Sequence, residues 1–149
     1  MESTTNAKLE NVAWKILTTG PILKKRLLRP EIEQKNNPIP LSYVQVLAAL
    51  NEKESMSVSE ISRRFDIAKP NITPLIDKLI GCGYAKRVRS MSDRRVVHVV
   101  ILDEGRRKLE EVAQSLTHAI SGWPRTLNDE KLDQLADAME TLREILEPK

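Results

Sequence analysis

The chain has 149 residues, of which 40% are hydrophobic and 30% are charged, a composition typical of a folded soluble protein and not of a disordered one. Its one cysteine excludes an internal disulfide framework and suits a reducing compartment. The first residues lack the pattern of a secretion signal, and no apolar run is long enough to span a bilayer. We therefore expect a single-domain cytoplasmic protein without a membrane partner.

The net charge of +3 is unevenly distributed along the chain. Residues 57–95 contain nine basic and four acidic residues, whereas residues 103–149 contain seven basic and eleven acidic ones. A polyanion would be attracted to the middle of the chain and repelled by its C-terminal third. A solvated surface with an uneven spread of charge explains the same numbers, so charge alone does not identify a nucleic-acid partner.

Helical periodicity and capping residues define the first half of the chain. Apolar residues recurring every three and four positions predict a first helix over 7–28, which Pro30 ends. Three further helix starts, near residues 43, 58 and 129, are predicted by residues typical of capping boxes and N-caps: Ser42 with Gln45, Ser57 with Glu60, and Asn128.

Two short predicted helices, over 58–65 and 69–80, are joined by only three residues. Such a pair is the signature of a helix-turn-helix. Pro70 falls in the first turn of the second helix, where a missing N–H costs little, and Gly81 or Gly83 is a suitable left-handed residue at its end. A helix over about 43–51 precedes the pair.

The periodicity then changes from helix to strand. Residues 85–89 and the β-branched run 96–102 predict two strands with a polar tip between them, and a hairpin directly after a helix-turn-helix is a wing. Helical periodicity returns at Asp103, breaks at Pro124 and resumes in a final helix. The predicted fold class is mainly α with a small β wing.

The helix over 69–80 divides into two faces. Its apolar stripe of isoleucine and leucine packs on the domain, and the opposite face is left for a ligand. A helix N-terminus rich in polar groups suits the major groove of DNA, where Asn71 can pair with adenine and Thr73 can bond a base or touch a thymine methyl. The solvated face of an ordinary helix is the alternative. The candidate major-groove residues are Lys69, Pro70, Asn71, Thr73, Pro74 and Lys78.

The tip of the predicted wing carries two adjacent arginines. The guanidinium groups of Arg94 and Arg95 can enter a narrow minor groove, where negative potential is concentrated. Asp93 is expected to act as an organiser that holds the Arg95 side chain. Taken alone, the tip is better explained as an exposed turn with a weak ion pair; its place after a helix-turn-helix favours DNA. Candidate phosphate contacts are Arg63, Arg64 and Lys86.

The order of these elements resembles the MarR (multiple antibiotic resistance regulator) family over nearly the whole chain. The motifs that carry the resemblance are Leu41–Gln45 opening the second helix, Asn71–Leu79 in the recognition helix, Ser92–Arg95 with Val97–Val99 in the wing, and Ile101–Gly105 closing it. The family usually has Thr where Asp103 stands, and both residues can cap a helix.

The resemblance implies a homodimer held by the first, fifth and sixth helices. It implies a winged helix-turn-helix lobe over 42–102 and dimerisation helices over 7–30 and 105–147, within one domain over 1–149. Terminal helices with full apolar stripes cannot all bury them in one small monomer, which favours the same arrangement. Two recognition helices would then read a pseudo-palindrome with centres about 10 bp apart. The resemblance further implies a repressor that a small effector or an oxidant releases from DNA.

Other residues carry weaker signals. Cys82 lies at the end of the recognition helix, away from the sensing position of thiol-responsive relatives, so a packed or merely incidental thiol is expected. His98 and His118 have no metal-ligand spacing with it, and we expect neither a metal nor a cofactor. Two other function classes remain as alternatives: a protein-docking winged helix, and an enzyme, for which no catalytic set is visible.

Overall fold

The computed structural model describes residues 2–27, 34, 36–123 and 127–147. The chain divides into a first unit over residues 1–33 and a second over residues 34–149. The first unit contains α1, and all other described elements lie in the second. The elements are α1 (Glu2–Leu27), α2 (Leu41–Lys53), β1 (Ser55–Ser57), α3 (Val58–Phe65), α4 (Lys69–Gly81), β2 (Ala85–Arg89), β3 (Val97–Ile101), α5 (Asp103–Ser121) and α6 (Asp129–Leu146).

The mainly helical fold with a β wing is confirmed, and the element bounds differ from the predicted ones by small amounts. The first helix begins five residues earlier than predicted, and α2 extends to Lys53. The predicted breaks at Pro30 and Pro124 fall outside the described residues.

The sheet has three antiparallel strands in the order β1-β3-β2, one more than the sequence predicted. The wing hairpin β2–β3 pairs Ala85 with Ile101 and Arg89 with Val97. The extra strand β1 adds to the other edge of β3, where the buried Met56 lies opposite Val99. Three residues are too few to show a strand periodicity, so this strand could not be recognised from the pattern.

Two of the three predicted helix caps are confirmed. The Ser57 hydroxyl accepts a hydrogen bond from the backbone N–H of Glu60 at 3.1 Å, and the Asn128 side chain accepts from Lys131 N–H at 2.9 Å. The capping box at Ser42 is wrong. Helix α2 begins one residue before it, and the carbonyl of Pro40 receives the first helical bonds.

A second capping expectation is also corrected at the start of α5. Leu102 occupies the cap position without a side-chain bond, and Asp103 is already helical. Its carboxylate accepts a hydrogen bond from the Arg106 guanidinium at 2.9 Å instead. The acidic residue still suits the positive end of the helix dipole.

The core of the second unit lies between α2, α3, α4 and the sheet. Its largest side chains are aliphatic and almost fully excluded from solvent, so they fix how α4 is turned about its axis. These side chains belong to Val46, Leu47, Leu50, Ile61, Ile72, Ile76, Leu79 and Val99.

Gly105 fixes how closely α5 approaches the wing. A Cβ atom at this position would overlap the carbonyl oxygen of Tyr84 and the Ile101 side chain. That same carbonyl accepts a hydrogen bond from Leu102 N–H at 2.8 Å, which holds the end of β3 beside the end of α4. A residue without a side chain is therefore needed here.

Large apolar side chains are exposed on the two terminal helices. Six on α1 are between 53% and 64% exposed, and five on α6 are between 41% and 73% exposed. These side chains are Leu9, Val12, Trp14, Ile16, Leu17 and Ile22 on α1, and Leu132, Met139, Leu142, Ile145 and Leu146 on α6.

The part of the chain that the structure describes contains no helix with the length and hydropathy of a membrane span.

Candidate nucleic-acid interface

Helix α4 presents the predicted polar face to solvent. Ile72, Leu75, Ile76 and Leu79 are buried on the opposite side, because their spacing of three and four places them on one stripe. All six candidate major-groove residues are exposed, as is Asp77 on the same face. The core thus holds the outward face in a fixed orientation.

The first turns of α4 limit what Thr73 can offer to a ligand. The Thr73 hydroxyl donates a hydrogen bond to the carbonyl oxygen of Lys69 at 2.9 Å. Pro74 has no N–H, so the carbonyl of Pro70 lacks its usual helical donor. Thr73 therefore has its methyl group and an acceptor oxygen left for a base, while its proton is used inside the helix.

The wing tip, residues 90–96, is a network of short-range hydrogen bonds. Ser90 N–H donates to the carbonyl of Val96, and Val96 N–H donates to the carbonyl of Asp93, both at 3.0 Å. The Ser90 hydroxyl also accepts from the N–H groups of Ser92 and Asp93. The tip is therefore a shaped turn.

Asp93 organises this turn in a different way from the one expected. Its carboxylate accepts a hydrogen bond from the backbone N–H of Arg95 at 3.0 Å, whereas the sequence suggested a contact with the Arg95 side chain. A short carboxylate reaches the backbone two residues on more easily than a long guanidinium, as in an Asx turn. Arg94 and Arg95 are both exposed at the tip.

An ion pair joins α4 to the wing. The guanidinium of Arg87 on β2 donates to the carboxylate of Asp77 at 2.6 Å. Sequence reasoning did not find this ion pair. Asp77 lies on a helix and Arg87 on a strand, so no single periodicity relates them, and the contact appears only once the helix and the hairpin are placed together.

The three predicted phosphate contacts have different surroundings. Arg63 and Lys86 are exposed, whereas the Arg64 side chain is only 20% exposed and lies 3.3 Å from Glu52 and 3.4 Å from Glu147. Arg64 could contact a DNA phosphate only if its guanidinium group left these two carboxylates.

Arg64 belongs to a ring of four alternating charges, Glu52, Arg64, Glu147 and Arg143. Arg143 on α6 also pairs with both glutamates. The ring joins α2, and α3 of the helix-turn-helix, to the C-terminal end of α6. Sequence reasoning missed it because its members come from three distant segments.

Lys108 is a second residue that the sequence did not single out. It is 3% exposed, and its ammonium group donates to the carbonyl of Asn36 at 2.6 Å and lies 3.4 Å from the Glu111 carboxylate. In the sequence it sits in a charged stretch that resembles an ordinary solvated helix face. It anchors the connector before α2, residues 36–40, onto α5.

Cys82 occupies the cap position after α4 and is partly buried. The amide group of Asn37 lies 3.5 Å from its sulfur and 3.5 Å from the Tyr84 hydroxyl. The connector thus contacts both ends of the turn that leads from α4 into the wing.

Comparison with known proteins is consistent with this geometry. Residues 39–97 match the MarR family model. The chain is 35% identical to the HTH-type transcriptional regulator TtmR of Methylorubrum extorquens, over 68% of this chain and 54% of that protein. It is 32% identical to the HTH-type transcriptional repressor MdtR of Bacillus subtilis, over 61% of this chain and 59% of that protein. The chain thus spans little more than half the length of these relatives.

A solved structure extends the likeness beyond the matched segment. A MarR family protein from Bacillus stearothermophilus aligns with a TM-score of 0.67 and 27% identity, over 98% of both chains. The likeness therefore includes the terminal helices as well as the helix-turn-helix and the wing. By its sequence over residues 39–97 and by its fold along nearly its whole length, this chain belongs to the MarR family.

Proposed function

We propose that the protein is a transcription regulator that binds specific sequences in duplex DNA as a homodimer. One observation carries the proposal: a rigidly oriented polar helix face and a hairpin tipped with two arginines lie on the same lobe. The curated relatives are named as transcriptional regulators, which supports the same conclusion. We assign the protein no enzymatic role.

In this proposal α4 enters the major groove. Asn71 reads adenine through its amide, a bidentate contact that contributes about 1–3 kcal/mol of base discrimination, and the Thr73 methyl contacts a thymine methyl. Pro74 adds a rigid apolar surface, and Lys69, Pro70 and Lys78 complete the contact. The backbone of the duplex is held by Arg63 and Lys86, with Arg64 joining them only if it leaves its carboxylates.

The wing would enter the adjacent minor groove. Asp93 and Ser90 shape the turn, so the backbone that carries Arg94 and Arg95 needs little further ordering on binding. A narrow A·T-rich groove is the sequence feature that favours such side chains. The wing thus reads DNA shape while α4 reads base edges.

Dimerisation is assigned to residues 7–30 and 105–147, and DNA reading to residues 42–102. The exposed apolar side chains of α1 and α6 are the surface that a second copy would cover. Two-fold symmetry places two lobes on one face of the duplex, about 10 bp apart. The operator is then a pseudo-palindrome.

We further propose a repressor that a small effector releases from its operator in the cytoplasm. The repressor role follows the relative MdtR, which is named a repressor. An effector acts by changing the distance between the two lobes, because both must match adjacent grooves at once. The ion-pair ring that joins α3 to α6 is a direct connection for such a change.

The test is selection of bound fragments from a random DNA pool at fixed salt, followed by measurement of the dissociation constant on the selected site. A two-fold symmetric consensus is expected. The double variant Arg94→Ala/Arg95→Ala should bind that site about 100-fold more weakly, since two groove contacts are lost. Its thermal unfolding should match the wild type.

Arg106→Ala/Arg107→Ala is the matched control, because it removes two exposed arginines from the start of α5 and leaves the wing unchanged. Equal affinity of the two double variants for the selected site would remove the wing from the mechanism. Failure to select any sequence would favour the protein-docking alternative, in which DNA affinity is only electrostatic and disappears at physiological salt.

A further inference from the structure

We propose that the Asp77–Arg87 ion pair sets the angle between α4 and the wing and so determines how well both fit one DNA sequence. The inference rests on the proposed function and names two positioning residues for it. Neither residue is needed as a DNA contact.

The pair spans the turn that connects the two DNA-reading elements. Asp77 lies on the outward face of α4, and Arg87 lies at the centre of β2, opposite Val99 of β3. Between them the chain turns through Gly83, whose φ of 76° is left-handed, and Tyr84 N–H bonds to the carbonyl of Leu79. The 2.6 Å contact closes this turn with a second, side-chain link.

Folding stability does not account for the pair. The two side chains are 40% and 57% exposed, and ion pairs in that position contribute little because water and salt screen them. The hairpin is held by its own strand pairing, and α4 by its buried face. The ion pair adds a constraint on the angle between α4 and the β2–β3 hairpin.

Electrostatics favours the same interpretation. Asp77 is an acidic residue on the face that carries Lys69 and Lys78. A carboxylate close to DNA phosphates lowers affinity, so a face composed for affinity alone would hold a neutral or basic residue at this position. Arg87 neutralises the Asp77 carboxylate, and the ion pair between them orients the wing.

The substitution Asp77→Asn distinguishes positioning from simple charge. Removal of one negative charge alone would tighten binding to all DNA. Loss of positioning would instead weaken binding to the selected site about tenfold, comparable to one lost base contact, while binding to random DNA stays equal or becomes tighter. The quantity to measure is the ratio of the two dissociation constants at fixed salt, by fluorescence anisotropy with labelled duplexes.

Two further variants sharpen the result. Asp103→Asn also removes an exposed carboxylate paired with arginine, but that pair lies within α5, so the ratio should stay at the wild-type value. The double reversal Asp77→Arg/Arg87→Asp keeps the net charge and restores a pair, so it should recover most of the ratio lost in Asp77→Asn. Thermal unfolding of each variant checks that the fold is intact.

The inference is overturned if Asp77→Asn changes both dissociation constants by the same factor, or if the double reversal binds no more selectively than Asp77→Asn. A wild-type protein that prefers no sequence overturns the proposed function itself. A clear wild-type preference with an unchanged ratio in Asp77→Asn overturns only the positioning role.

Discussion

The winged helix-turn-helix lobe and the terminal helices carry similar apolar periodicity but bury it very differently. In the lobe Leu47, Ile61 and Ile76 are fully excluded from solvent. On α6 the side chains of Ile145 and Leu146 are 73% and 69% exposed. The lobe closes over its own core within one chain, whereas the apolar stripe of α6 is left exposed to solvent.

The difference shows what an apolar pattern does and does not determine. Burial of one large aliphatic side chain contributes about 1.5–3 kcal/mol, so a stripe of five on α6 favours association strongly when another surface covers it. Periodicity indicates that a face will be buried, but not whether the covering surface lies in the same chain. The proposal of a homodimer assigns that surface to a second copy.

The largest effect is expected from changing the stripe of α6. Met139→Glu/Leu142→Glu places two carboxylates where a partner would bury apolar side chains. The dimer dissociation constant should rise at least about 100-fold, because the loss of two such contacts costs about 3–6 kcal/mol. Sedimentation equilibrium measures this change directly.

Glu140→Lys is the matched control for this variant, since it changes the charge on the other side of the same helix. It should leave the dissociation constant close to the wild-type value. Unchanged dimerisation in the double variant would show that α6 does not form the interface.

A large-to-small substitution in the core of the lobe should cost slightly less free energy than the change on α6. Its effect should lie within one chain. Ile76→Ala is expected to lower the free energy of unfolding by about 2–5 kcal/mol, because a fully buried side chain leaves a cavity. Urea denaturation in the Met139→Glu/Leu142→Glu background measures this without the contribution of dimerisation. Ile145→Ala in the same background should change stability by less than about 0.5 kcal/mol. Similar costs at the two positions would contradict the contrast between the regions.

The smallest effect concerns caps, which work alike in both regions. Ser57→Ala in the lobe and Asn128→Ala on α6 should each cost about 1 kcal/mol, because each side chain accepts a backbone N–H. Ser42→Ala should cost less than either, since Ser42 lies inside α2 and not at its cap. Urea denaturation checks all three, and a cost at Ser42 equal to that at Ser57 would restore the rejected capping box.

Local signals explain why so much of the fold was predictable from the sequence. Caps at Ser57 and Asn128, the three-residue turn and the β-branched run of β3 act over a few neighbours, and each gave the right element. The outward face of α4 followed from the spacing of its buried residues. The error at Ser42 also had a local cause, because Pro40 directly before the helix supplies the capping carbonyl.

The features that could not be predicted depend on distant parts of the chain. Lys108 is buried because the carbonyl of Asn36, 72 positions earlier, receives its ammonium group. Arg64 faces Glu147 because the end of α6 returns to α3. The contact between Asp77 and Arg87 exists because the hairpin folds back beside α4. Spacing along a sequence contains none of this information.

Hydroxyl-radical footprinting of a selected duplex tests most directly whether two symmetry-related lobes read one DNA. With wild-type protein, protection should occur in two patches related by a two-fold axis, with major-groove centres about 10 bp apart and flanking minor-groove protection from each wing. A single asymmetric patch, or uniform weak protection without a centre, would contradict the proposed dimeric reader.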